Sequence, residues 1–234
     1  MWGIVPYVAL SVFVVGHVWR YRRDQFTWTT RSTQLLEGRA LRWGAILFHV
    51  GLLAVIGGHV LGILVPESAT AAVGVSEHTY HVVSVAAGTS AGVAMSTGFL
   101  LLARRRATNS RVRRTTTRMD IAVYVVLGVI IATGMYATVG ENLIGGGYNY
   151  RETVGPYFRS IFIFDPDTAK IAAAPFVYRF HALAAFGLYA LWPFSRLVHA
   201  WSVPVSYLTR APIVYRSRRA APARALPETV DARS

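Results

Sequence analysis

Five long apolar runs constrain the fold of this chain more than any other feature of its sequence. A helix needs about 20 apolar residues to cross the roughly 30 Å hydrocarbon core of a bilayer. The runs in this 234-residue chain cover residues 2–19, 43–65, 80–103, 121–139 and 172–198. The first run has neither a basic segment before it nor an A-x-A-like cleavage site after it, so it is interpreted as a retained helix. The sequence therefore predicts an all-α integral membrane protein with five transmembrane helices.

The basic residues predict the orientation of these helices. Of the 24 Lys and Arg residues, 19 follow the first, third or fifth run and Arg196 lies at the end of the fifth, whereas the connections at 66–79 and 140–171 hold six of the 11 acids. Cytoplasmic loops are enriched in Lys and Arg, so we expect the N-terminus outside and the C-terminus in the cytoplasm. The net charge of +13 then reflects the sidedness of the membrane helices and contact of the basic loops with anionic lipid. The alternative is that the basic residues form a docking surface for a partner. Nucleic-acid binding is not expected.

The chain is predicted to form one membrane domain, residues 1–210, followed by a basic cytoplasmic tail, residues 211–234. The tail is rich in Ala, Pro and Arg and is expected to be mobile. The connection at 140–171 contains GGGYNYRE and is too long for a tight helical hairpin, so we expect it to cap the outer face. The protein is thus expected to be a multi-pass protein of the cell membrane.

Four of the seven histidines are predicted to lie at matched depths on two helices. His49 and His59 are in the second run, and His181 and His199 bracket the fifth. The second helix rises outward and the fifth returns inward, so His49 and His199 fall on the inner side, and the other two fall on the outer side. Ionisable residues inside a membrane are costly and are candidates for function. Two pairs of imidazoles at two depths are what two bis-histidine haems require.

The spacing of these histidines partly fits an ideal helix. His181 and His199 are 18 residues apart, which is five whole turns, although Pro193 removes a helical hydrogen bond between them and is expected to bend the fifth run. The 10 residues from His49 to His59 leave a rotation of about 80°, which tilt, unwinding near Gly57-Gly58 or leaning side chains must absorb. A flat macrocycle needs small neighbours, although small residues also serve helix packing in membranes. The small residues beside the histidines are Gly51, Gly57, Gly58, Gly62, Ala182, Ala184, Ala185 and Gly187.

The composition favours haem b over other metal cofactors. Cysteine is absent, which excludes covalent c-type haem and iron–sulfur ligation by this chain. Carboxylates that would complete a non-haem metal site are missing from the second and fifth runs. Arginine can hold haem propionates through forked hydrogen bonds, and the candidates are Arg42, Arg179 and Arg196. Snorkelling of these arginines to lipid phosphates is the alternative.

The remaining histidines are predicted to have different roles. His78 and His81 open the third run beside Tyr80. A quinol releases protons as it is oxidised, so its pocket needs an acceptor near the hydroxyl group, and either histidine could serve. The alternative is that both are hydrated interface residues. His17 is expected to be a packing or interface residue.

Several stretches closely resemble one family. They are LFHVGLLAVIGGHVLGILVP at 47–66, NSRVRRTTTRMD at 109–120, YRFHALAAFGLYALWPFSRLVHAWSVPVSYLTR at 178–210 and, in the first loop, RYRRDQFTW at 20–28. Together they make the chain similar, to about Arg210, to the gamma subunit of the membrane-bound respiratory nitrate reductase, a dihaem cytochrome b.

The resemblance implies the activity of a subunit of quinol:nitrate oxidoreductase. His59 and His181 would hold a distal haem near the outer face, and His49 and His199 a proximal haem near the cytoplasm. Menaquinol or ubiquinol would be oxidised beside the distal haem, and electrons would pass inward to an iron–sulfur beta subunit and a molybdenum-containing alpha subunit that reduces nitrate to nitrite. The candidate residues of the quinol pocket are Gly62, His78, Tyr80 and His81.

The sequence departs from the family at one position of this pocket. The type member has a lysine near the start of the third helix, where this chain has Thr79. His78 or His81 would then have to accept the quinol proton. Two other functions stay open from sequence: the cytochrome b subunit of another respiratory oxidoreductase, such as a hydrogenase or formate dehydrogenase, and a non-redox membrane protein such as a transporter or assembly anchor.

Overall fold

The computed structural model describes residues 1–28, 32–33, 35–36 and 38–201, and these residues form helices and no strand. The predicted tail, residues 211–234, lies outside the described residues. In chain order the α-helices are α1 (Val5–Arg23), α2 (Arg39–His59), α3 (Glu67–Ala72), α4 (Glu77–Thr108), α5 (Ser110–Arg114), α6 (Arg118–Met135), α7 (Val154–Phe162), α8 (Thr168–Ala173) and α9 (Phe176–Leu191).

Wider and tighter helical turns extend this framework. The π-helical segments Val60–Leu64 and Tyr136–Ile144 continue α2 and α6. Short 3-10 segments form at Gln25–Thr27, Tyr150–Glu152, Trp192–Phe194 and Arg196–Trp201. The turn after α2 widens only beyond His59, so Gly57-Gly58 is not the point of unwinding that the histidine spacing suggested.

Among the residues that the structure describes, three helices are long and apolar enough to cross a membrane. They are Arg39–Leu64, Glu77–Thr108 and Arg118–Ile144, and they correspond to the second, third and fourth apolar runs. The first run forms α1, with 19 residues, and the fifth run contains α9, whose α-helical part has 16 residues. Many large apolar side chains on these helices face outward, which suits contact with lipid.

The long helices pack side by side. α2 lies along α4, while α9 packs against both α1 and α6. Gly51 permits the close approach of the first two, because an added Cβ there would lie 2.5 Å from the backbone nitrogen of Met95. At the end of the bundle that carries Met1, hereafter the Met1 end, Tyr157, Ile161 and Ile171 form a buried core with Ala9.

Local sequence explains where the functional helices begin and end. Ser76 caps α4 by accepting the backbone N–H of Thr79, and Thr117 forms a reciprocal capping box with Asp120 at the start of α6. Pro193 cannot donate a backbone hydrogen bond, and α9 ends two residues before it. The chain therefore does not form the single regular helix from His181 to His199 that their 18-residue spacing would suit.

Candidate functional site

Two pairs of histidines lie between α2 and the end of the described chain, where His181 is on α9 and His199 is on the 3-10 segment Arg196–Trp201. The ring centres of His59 and His181 are 6.0 Å apart and their planes are inclined by 20°. The ring centres of His49 and His199 are also 6.0 Å apart, with planes inclined by 75°. We name these the distal and proximal pairs. The structure thus brings together the partners that the sequence predicted, although the helix break before His199 was not anticipated in detail.

The hydrogen bonds of three of these rings fix their tautomer. Nδ1 of His49 and Nδ1 of His59 each lie 2.8 Å from the carbonyl oxygen four residues earlier. Nδ1 of His199 lies 2.7 Å from the carbonyl oxygen of Arg196. A carbonyl oxygen only accepts, so the proton is on Nδ1 and the lone pair on Nε2 is available to a metal.

His181 reaches the same tautomer through a side chain. Its Nδ1 lies 3.0 Å from the hydroxyl oxygen of Thr133 on α6. That hydroxyl donates to the carbonyl oxygens of Val129 and Ile130, at 2.8 and 3.1 Å, so its oxygen accepts the N–H of His181. Thr133 was missed by sequence reasoning, because one threonine in an apolar run gives no signal of its partner.

The separation of the rings fits a metal between them. A ring nitrogen lies about 2 Å from a bound metal, so two imidazoles that shared one metal ion would have ring centres about 6 Å apart. Within the described residues there is no group of three or more His, Cys, Asp or Glu side chains that could hold a bare metal ion. The residues present therefore fit a metal that would bring its remaining ligands with it, as haem iron would.

The glycines beside the histidines divide into two groups. A Cβ added at Gly57, Gly58 or Gly187 would meet no atom within 4 Å, so these positions border open space on both α2 and α9. Gly51 instead lies against the α4 backbone. The glycines of the first group leave space that larger side chains would fill, whereas the glycines in close contact serve packing.

The three propionate candidates lie in different surroundings. Arg179 has a buried Nε with no hydrogen-bond partner among the described residues, two positions before His181. Arg196 donates from Nε to Asp120 Oδ1 at 2.7 Å. Arg42 is exposed in the first turn of α2. A buried donor that lacks a partner fits a bound anion best, which favours Arg179.

A cavity of about 250 Å³ lies at the Met1 end, between the start of α4 and residues 146–151. Its lining includes His78, Tyr80, His81, Ser84, Tyr150 and Arg151. Gly62 borders the same cavity, because a Cβ added to it would lie 2.6 Å from the Tyr150 hydroxyl oxygen and 3.1 Å from the Tyr80 hydroxyl oxygen. The four pocket residues predicted from sequence therefore lie together. Thr79 is exposed and bonds to the Ser76 hydroxyl at 2.9 Å.

Arg151 is the principal pocket residue that sequence reasoning missed. It is 3% exposed, and its guanidinium carbon lies 3.9 Å from the centre of the Tyr80 ring. Its Nη1 donates to Glu77 at 3.0 Å and its Nη2 donates to Thr70 at 2.8 Å. A desolvated cation over an aromatic face is strongly attracted to it. The only sequence signal was a single arginine in the GGGYNYRE stretch.

Tyrosines connect this pocket to the distal pair. The hydroxyls of Tyr80 and Tyr150 are 3.5 Å apart, and the Tyr150 ring stacks on Tyr178 with centres separated by 6.3 Å. Tyr178 precedes His181 by three residues, about one helical turn. Burial raises the pKa of Tyr150 well above its usual range, so this phenol stays neutral.

His17 differs from the four paired histidines. Its Nδ1 lies 2.6 Å from the Phe13 carbonyl oxygen, and its Nε2 accepts the indole N–H of Trp201 at 3.2 Å. Both ring nitrogens are therefore engaged, as expected of a packing residue.

Comparison with known proteins agrees with this arrangement. The family model described as nitrate reductase gamma subunit matches residues 1–218. The nitrate reductase gamma chain of Bacillus subtilis is 45% identical over 93% of this chain and 97% of its own length. The respiratory nitrate reductase 1 gamma chain of Escherichia coli is 34% identical over 92% of this chain and 95% of its own length.

A third relative has a different overall length. The nitrate reductase-like protein NarX of Mycobacterium tuberculosis is 48% identical over 93% of this chain but over 33% of its own length. The resemblance seen in the sequence is thereby confirmed. The chain belongs to the nitrate reductase gamma subunit family and is a subunit of that oxidoreductase complex.

Proposed function

We propose that this chain anchors its nitrate reductase in the cell membrane and carries electrons from quinol to the partner subunits through two b haems. The distal pair would ligate one haem and the proximal pair the other. Bound haem supplies reversible one-electron transfer. The observation that carries the proposal is the placing of two imidazole pairs, each with ring centres 6.0 Å apart, between α2 and the last two described helical segments, α9 for His181 and Arg196–Trp201 for His199.

The surroundings of the rings support this assignment. Each Nδ1 is held by an oxygen, which orients the ring and leaves Nε2 for iron. The open space beside Gly57, Gly58 and Gly187 offers room for a macrocycle. Family membership also favours this function over a hydrogenase or formate dehydrogenase cytochrome, and over a non-redox protein.

We also propose five transmembrane helices, with the N-terminus outside and the C-terminus in the cytoplasm. Two further membrane-spanning helices would join the three long ones. They would be α1, and α9 together with its continuation to Trp201. The arginine-rich connections support this sidedness. The cytoplasmic face would then dock the iron–sulfur beta and molybdenum-containing alpha subunits.

The absence of cysteine makes this topology directly testable. A single cysteine introduced by Ala72→Cys is expected to react with an impermeant maleimide in intact spheroplasts. One introduced by Arg113→Cys, at an exposed position of α5, is expected to react only after permeabilisation. The reverse labelling would refute the proposed orientation.

The pocket at the Met1 end is the proposed quinol site, and its substrate would be menaquinol or ubiquinol. Arg151 and Tyr80 would shape the pocket and present polar groups to the quinol oxygen. His81 is half-buried in the lining and His78 is exposed beside it. An imidazole ring can accept a proton on one nitrogen and release it again, so either ring could pass the quinol proton to the outside.

Anaerobic addition of menaquinol to membranes tests this site. In a variant carrying His78→Ala and His81→Ala, haem reduction at the b-type α-band is expected to slow several-fold while haem content is retained. Thr79→Ala is the matched control, because Thr79 lies between the two histidines but outside the pocket lining. Unchanged reduction in the double variant would refute the role of these histidines.

A further inference from the structure

The segment that carries His199 lacks the support of a regular α-helix. After α9 ends at Leu191, the chain passes Pro193 and the extended Ser195 and enters the six-residue 3-10 segment Arg196–Trp201. Turns of this kind are short and have poorer hydrogen-bond geometry than α-helices. The ring of His199 therefore depends on contacts from elsewhere, unlike that of His49 within α2.

Asp120 supplies one such contact from a fixed position. It lies at the start of α6, is 3% exposed, and its Oδ2 accepts the backbone N–H of Thr117 at 2.9 Å. The Thr117 hydroxyl accepts the backbone N–H of Asp120 in return, at 3.2 Å. This capping box orients the carboxylate. Its Oδ1 accepts the Nε proton of Arg196 at 2.7 Å, which is the geometry of a charge-assisted hydrogen bond.

Arg196 links Asp120 to His199 of the proximal pair. Its guanidinium is held by Asp120, while its carbonyl oxygen accepts the Nδ1 proton of His199 at 2.7 Å. Arg106 lies on the same carboxylate, with Nη1 3.5 Å from Oδ2, and balances its charge. A carboxylate, a guanidinium and a main-chain carbonyl thus form one chain of contacts ending on the imidazole.

We propose that Asp120 is a positioning residue for the proximal haem ligand, acting through Arg196 on the orientation of His199. The proposal rests on the haem ligation proposed above. It is specific to one pair, because the N–H of His181 is held instead by Thr133. Disturbing Asp120 therefore changes the environment of one haem and leaves the other as it was.

The test is the EPR spectrum and redox titration of both ferric haems in membranes containing the assembled complex. His199→Ala and His181→Ala first assign one low-spin signal to each pair. Asp120→Asn is expected to shift or broaden the proximal signal and to lower proximal haem occupancy several-fold, with the distal signal and its midpoint unchanged. Thr117→Ala is the control, because it removes the hydroxyl that caps the helix but keeps the backbone N–H that binds Asp120 Oδ2 and leaves Arg196 in place.

The outcomes separate positioning from general stability. If Asp120→Asn leaves both signals unchanged, or alters both equally, the proposal is overturned. If that variant does not accumulate, Arg196→Lys removes the Nε donor and keeps the charge, and the same selective change in the proximal signal is expected. An unchanged proximal signal in Arg196→Lys would then overturn the proposal. The haem content of the unaltered chain tests the proposed function separately.

Discussion

His49 and His199 face each other with ring centres 6.0 Å apart and planes that cross at 75°. The distal pair, His59 and His181, has the same separation but nearly parallel planes, inclined by 20°. In a low-spin ferric haem with two imidazole ligands, crossed ligand planes leave the iron d orbitals closer in energy than parallel planes do. Two haems held by these pairs, as proposed, would therefore differ in electronic structure although their ligands would be identical.

This difference predicts two distinguishable EPR signals. We expect the more anisotropic low-spin signal, with the larger low-field g-value, to come from the proximal pair. His49→Ala and His199→Ala should each remove that signal, and His59→Ala should remove the other. Loss of the same signal in His49→Ala and His59→Ala would contradict the pairing.

Glycines in the open space are predicted to respond differently from those in packing. Gly58→Leu places a side chain where no atom lies within 4 Å of an added Cβ, so we expect it to lower haem content several-fold while the chain still folds. Gly51→Ala is the contrasting variant, because its Cβ would lie 2.5 Å from the Met95 backbone nitrogen. We expect it to destabilise the bundle by about 1–3 kcal/mol whether or not haem is bound.

Haem per chain and thermal unfolding in detergent measure these two effects separately. Full haem content in Gly58→Leu would show that the space beside α2 is not used by a macrocycle.

Removal of the cation over Tyr80 is predicted to impair quinol oxidation. Arg151→Gln loses the contact with the Tyr80 ring and the ion pair with Glu77. We expect kcat/KM for quinol to fall about tenfold, which corresponds to about 1.4 kcal/mol. Steady-state quinol oxidation measures this. Lys170→Gln is the matched control, because Lys170 is an exposed cation of the same connection and should have little effect. Equal losses in both variants would indicate a general charge effect.

The phenol of Tyr150 is predicted to take no part in proton uptake. Burial raises its pKa, so it loses its proton only above the usual value of about 10 and stays neutral at working pH. Tyr150→Phe should therefore change the rate of quinol oxidation by the same factor at every pH from about 6 to about 9. A ratio of rates that varies steadily across that range would assign Tyr150 an ionisation within it.

The histidine pairing was predictable because it depends on two regular quantities, depth along a helix and the alternating direction of successive helices. Thr133 and Arg151 were not predictable, because each acts through a contact between segments distant in the sequence. The glycines carried an ambiguous signal, since Gly51 and Gly58 have similar neighbours in sequence. Only the tertiary structure shows which of them faces another backbone and which borders open space.

The break before His199 marks another limit of sequence reasoning. Pro193 indicated a disturbance of the last helix, but the buried bonds that stabilise the broken segment come from other helices. Arg20 on α1 donates to the carbonyl oxygens of Pro193 and Ser195 at 2.6 and 2.9 Å, and Asp120 on α6 binds Arg196. These partners are far from His199 in sequence and could be identified only once the helices were placed together.

A pyridine haemochrome assay of the purified, folded chain measures whether the four paired histidines hold two haems. We expect two b-type haems per chain, falling to one when either His181 or His199 is replaced by alanine. A folded chain without haem b would refute the proposed ligation.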